Sequence, residues 1–114
     1  MVENAGQGEA AGQSRIEALK RMAETRPNDP RAHFGLAVEY EKMGAWQETV
    51  DTLRRYLDVA HDEGNAYGRL GHALRMLNRD EEARDAFQQG VDAAYRHGHP
   101  TMAQEFEEIL EEWE

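Results

Sequence analysis

Slid against itself, the sequence matches at one clear offset, 34 residues. Ala32 falls on Ala66, Leu36 on Leu70, Glu48 on Glu82, Asp51 on Asp85, Asp58 on Asp92 and Ala60 on Ala94. Conservative pairs fill the gaps: His33/Tyr67, Ala37/Gly71, Tyr40/Leu74, Gly44/Asn78, Thr49/Ala83, Leu53/Phe87 and Leu57/Val91. One further step back reaches Glu17, Leu19, Ala23, Glu24 and Pro27, so a truncated unit precedes the two full ones. A unit of this size cannot bury its own apolar face, and its neighbours must stack on it.

Within each unit the apolar spacing is helical. Ile16, Leu19 and Met22-Ala23 mark a first helix, with Ser14 and Glu17 set as a capping box. Arg26-Pro27-Asn28-Asp29-Pro30 ends it, and Asp29 is placed to cap a helix that has Pro30 at its first position. That second helix is expected over 30–43, closed by Gly44, and a third over 46–60. His61-Asp62-Glu63-Gly64-Asn65 reads as a turn. A fourth helix follows over 65–77, with Asn78 standing where Gly44 stood. A fifth is expected to be capped by Asp80 and to reach about Tyr95, and a sixth to cover 101–113 with Met102, Phe106, Ile109-Leu110 and Trp113 on one face. No segment alternates as a strand does. Residues 1–13, rich in Gly, Ala, Gln and Glu, are expected to form a flexible tail.

These residues resemble the tetratricopeptide repeat (TPR). The second unit reads Tyr67-x-x-Leu70-Gly71-x-x-Leu74, then Ala83-x-x-x-Phe87, close to the family pattern W-x-x-L-G-x-x-Y…A-x-x-x-F. The first reads His33-x-x-Leu36-Ala37-x-x-Tyr40, then Thr49-x-x-x-Leu53. The family's closing proline stands at Pro27, with His61 and Tyr95 at the later equivalents. The resemblance implies an all-α fold, a right-handed α–α superhelix of about six antiparallel helices. The expected domain is 14–114: a half-repeat helix over 14–27, repeats over 30–63 and 64–97, and a capping helix over 100–114. Small residues at Ala37/Gly71 and Thr49/Ala83 are expected where the helices of a unit cross closely.

Charge and composition narrow the function. A formal net charge of −10 argues against nucleic acid and against an anionic membrane surface. There is no cysteine, which removes disulfides and thiol chemistry and suits a cytoplasmic location. The first residues have neither a basic n-region nor an apolar run, so no signal peptide is expected. No nucleophile–base arrangement, phosphate-binding loop or metalloprotease motif is present, and neither an enzyme nor a cofactor is expected. His97-Gly98-His99 is read as a turn rather than a metal site.

The resemblance also implies that the first helix of each unit lines a concave groove that holds a partner protein or peptide. On the helical wheel, Leu36, Ala37, Tyr40 and Met43 face inward, and Arg31, Phe34, Val38, Glu41 and Lys42 face outward. The corresponding outward set in the next unit is Asn65, Gly68, Arg69, His72, Arg75 and Met76. The candidate groove residues are therefore Arg31, Phe34, Val38, Lys42, Asn65, Arg69, His72, Arg75 and Met76. Phe34 and Val38 would form an apolar floor and the basic residues a rim, suited to an acidic or carboxylate-bearing segment. The alternative is that a neighbouring helix or the tail covers Phe34 and Val38, and that the arginines pair locally. The expected protein is a monomeric interaction scaffold. A rival reading is self-association through Ile109, Leu110 and Trp113; a His-based metal protein or enzyme is a third.

Overall fold

The computed structural model describes residues 3–113, with side chains described from residue 11 onward. Those residues form six helices and no strand: α1 (Glu3–Thr25), α2 (Pro30–Lys42), α3 (Trp46–Val59), α4 (Asn65–Met76), α5 (Asp80–Arg96) and α6 (Pro100–Trp113). Each packs mainly against the next in the chain, so α2/α3 and α4/α5 are the hairpins of the two full units.

The chain breaks have local causes. Asp29 caps α2 by accepting a hydrogen bond from the Arg31 amide at 3.0 Å, and Pro30 follows where no amide is needed. Gly44 and Asn78 end the first helix of each unit with φ of 72° and 60°, the left-handed turn glycine and asparagine tolerate best. Asp62 organises the link between the units. Its Oδ2 accepts from the amides of Gly64 and Ala66, each at 2.9 Å, and its Oδ1 accepts from the Tyr56 hydroxyl at 3.2 Å.

Three expectations need correction. α1 does not start at a Ser14 cap after a flexible tail; helix already runs from Glu3, because the Ala, Glu and Gln around the glycines are good helix formers. Residues 1–2 of that expected tail, and Glu114 at the end of the expected cap, lie outside the described residues. Asp80 is not the cap of α5 but its first helical residue, after Arg79. Met43 does not face inward but is 57% exposed, because α2 ends at Lys42 and the chain turns there.

The core is built at the expected crossings. Ala37, Val50, Leu53, Ala66, Leu70, Ala73, Leu74, Ala83 and Ala86 form one buried cluster. The close approach at Gly71 is direct: a Cβ there would lie 2.7–2.8 Å from three ring carbons of Phe87. Thr49 is buried because its hydroxyl donates to the Ala45 carbonyl at 2.8 Å. His33, at the position the TPR pattern gives to Trp, is buried with Nε2 2.7 Å from the Pro27 carbonyl, which ties α2 to the turn before it.

Candidate functional site: the groove between first helices

The outward faces of α2 and α4 meet Phe106 of α6 along a shallow cleft. Glu41, Asn65, Gly68, Arg69, His72 and Phe106 line a space of about 320 Å³. Phe106 reaches it because Gly68 and Gly90 leave room: a Cβ on Gly68 would lie 2.6 Å from the Phe106 ring, and one on Gly90 2.9 Å away. Sequence reading placed Phe106 on the packing face of α6 but not at this site. The signal was the glycine at position 68 of an otherwise helical run.

Phe34 and Val38 are half-buried, so the apolar floor is partly covered. The Phe34 ring lies 5.2 Å from that of Tyr56, and the Arg69 guanidinium sits over it at 5.5 Å. Arg69 also donates through Nη1 to Glu41, while its Nε is buried without a hydrogen-bond partner among the described residues.

The basic rim is largely engaged within the chain. Arg31 donates twice to Asp29, at 3.0 and 2.7 Å. Those bonds, with the Arg31 amide, hold the Asp29 carboxyl at about 2. Lys42 lies 3.5 Å from Glu39, which also accepts from Arg15 Nε at 3.2 Å. Glu39 is only 8% exposed. Burial pushes its carboxyl up, but Arg15 and Lys42 together outweigh that and hold it below the ordinary value. Arg75 leaves the groove: its guanidinium lies 4.2 Å from the Trp113 ring, with Arg84 4.8 Å from the same ring. Met76 is 49% exposed at the end of α4.

Asn65 and His72 are the exceptions. Both are exposed, and neither makes a side-chain hydrogen bond among the described residues. The His72 ring stands edge-on to Trp46 at 5.4 Å, which fixes its direction while leaving its nitrogens open. Of the nine candidate residues, the structure brings Asn65, Arg69 and His72 into one cleft, with Phe34 beneath Arg69. Arg31, Lys42, Arg75 and Met76 stand apart from it.

The C-terminal helix and the histidine turn also resolve into internal contacts. Leu110 packs on the Val91, Ala94 and Ala103 cluster, and Trp113 meets Phe87 edge-on at 6.2 Å. His99 lies 2.7 Å from Glu63, a neighbour 36 positions away that local spacing could not reveal. Among the described residues, no group of three His, Cys, Asp or Glu could hold a metal ion. No helix there is long and apolar enough to cross a membrane.

No family model matches the sequence. The small glutamine-rich tetratricopeptide repeat-containing protein 2 of Mycosarcoma maydis is 34% identical over 77 residues, covering 68% of this chain and 22% of the relative. The peroxisomal targeting signal receptor of Eremothecium gossypii is 32% identical over 77 residues, covering 67% of this chain and 14% of that receptor. The chain thus spans under a quarter of either relative. The crystal structure of MamA superposes with a TM-score of 0.68 at 21% identity, covering 95% of this chain and 71% of MamA, a likeness of fold alone. Together with the two units of helix–turn–helix, these likenesses place the chain in the tetratricopeptide-repeat family, with its right-handed α–α superhelix.

Proposed function

We propose that the chain is a non-enzymatic interaction module that binds a partner protein through a peptide or helix laid in the groove formed by α2, α4 and α6. The observation that carries this is the pairing of open donors with apolar surface. Asn65 and His72 stand unengaged in one cleft with half-buried Phe106, and half-buried Phe34 lies beneath Arg69 of the same cleft. An acidic or carboxylate-bearing segment would place its oxygens at Asn65 and His72 and its apolar side chains against the rings. Arg69 would hold the floor in place rather than meet the ligand, since Glu41 already takes its charge. Two relatives support the reading by name: one is named for the repeat, and the other is a receptor for a targeting signal.

The test compares proteins retained from source-cell lysate by wild type, by Phe34→Glu/Val38→Glu and by His72→Glu. Circular dichroism first establishes that each variant is folded; His72 is exposed, so its variant keeps the fold. A protein held by wild type and lost from both variants identifies the partner and the groove together. Equal retention by the folded variants rules the groove out.

A further inference from the structure

The helices do not begin and end at the same phase of the repeat. By the 34-residue step, α1 carries the second-helix positions of a unit, since Leu19 and Ala23 align with Leu53 and Leu57. α6 follows a complete unit and packs on α5 as α4 packs on α3, so it takes a first-helix place. Among the described residues α1 thus has the phase of a second helix and α6 that of a first helix, and the two phases are complementary.

At the α1 end a groove stands open beside α2. Ala18, Arg21, Met22, Thr25, Arg26, Asp29 and Ala32 line a space of about 440 Å³ between α1 and α2. Met22 is 52% exposed there, in a stripe of α1 formed by Ala18, Arg21, Met22 and Thr25 at i, i+3, i+4 and i+7, with Arg26 just past the helix end. Arg21 and Arg26 make no ion pair among the described residues, and Asp29 is already neutralised by Arg31. Over 14–27, Arg15, Lys20, Arg21 and Arg26 outweigh Glu17 and Glu24, on a chain whose net charge is −10.

At the other end the open face of α6 has the opposite sign. Gln104, Glu105, Glu108, Glu111 and Glu112 are all exposed and fall at i, i+1, i+4, i+7 and i+8. The helix contains no basic residue. Each stripe extends over about two turns, roughly 10–12 Å.

We propose that the groove between α1 and α2 receives α6 of a second copy of this chain, so that one split repeat is completed across each junction. Carboxylates of α6 meet Arg21 and Arg26, and the helix covers Ala18 and Met22. The contact joins two different surfaces, so it propagates head to tail instead of closing as a two-fold dimer. This route differs from burial of Ile109, Leu110 and Trp113, because Leu110 and Trp113 are already packed inside the chain. Exposed charge pairs are weak and screened by salt, so the association is a low-salt, high-concentration one.

Sedimentation velocity of the full chain, from micromolar to near-millimolar concentration in about 50 mM salt, tests this. The expected result is a weight-average mass that climbs with concentration past the dimer, and an association at least tenfold weaker in 500 mM salt. Arg21→Glu/Arg26→Glu and Glu108→Arg/Glu111→Arg each abolish it, and mixing the two variants restores it. A wild type that stays monomeric throughout overturns the proposal whatever the variants do. Association that salt leaves unchanged, or that either folded variant keeps, overturns it too. His72→Glu, outside both stripes, leaves the mass profile as in wild type, which separates this contact from the groove.

Discussion

Gly71→Ala is the sharpest probe of how the two repeats pack. In an isolated helix the change stabilises by about 1 kcal/mol, because alanine loses less backbone freedom. In this chain the new methyl would meet three Phe87 ring carbons at 2.7–2.8 Å. The ring cannot swing aside easily. It is 3% exposed, with Phe106 at 5.9 Å and Trp113 at 6.2 Å. Overpacking of this kind costs about 1–3 kcal/mol, so the expected net loss is up to about 2 kcal/mol. That corresponds to a fall in melting temperature of roughly 4–8 °C per kcal/mol lost. The other repeat supplies the control, because Ala37 and Leu53 occupy the equivalent pair. Phe87→Leu in the alanine background should recover stability relative to the sum of the single changes, with a coupling of about 1 kcal/mol or more. Urea melts followed by circular dichroism measure all four proteins. A single Gly71→Ala variant more stable than wild type, or a cycle with no coupling, refutes the packing argument.

The carboxyl of Asp29 should titrate near pH 2, and Arg31→Ala should move its midpoint toward 3.8, as followed by carbon NMR. Because the folded value is depressed, the stability this cap contributes is complete above its unfolded value of 3.8 and is lost as pH falls through about 2. Trp113→Ala should loosen α6, since it removes the ring that Arg75, Arg84 and Phe87 share; faster amide hydrogen exchange over 100–113 with α2 and α3 unchanged is the expected pattern.

What was legible in the sequence was whatever depends on near neighbours. Gly44, Asn78, Asp29 and Pro30 announce their turns because backbone conformation and capping are decided within a few residues. The close crossing at Gly71 was legible because the period places a small residue there in both units, but its partner, Phe87, was not. What escaped depends on pairs that no local spacing joins. Glu39 is buried because Arg15, 24 positions away, reaches it from α1. Arg75 points away from the groove because Trp113 returns to meet it, and His99 finds Glu63 across a turn from another unit. The basic rim looked available for that reason: charges on a wheel carry no information about which carboxylates fold against them.

The packing of each helix mainly on its neighbour in the chain also bears on how the protein assembles. Such a topology has low contact order, so no long loop must close before stabilising contacts form. Either hairpin, α2/α3 or α4/α5, is a competent starting point, and growth can proceed outward from it in both directions. Folding routes should therefore be parallel. A substitution that weakens one hairpin should shift traffic to the other, leaving the overall folding rate less sensitive than the stability.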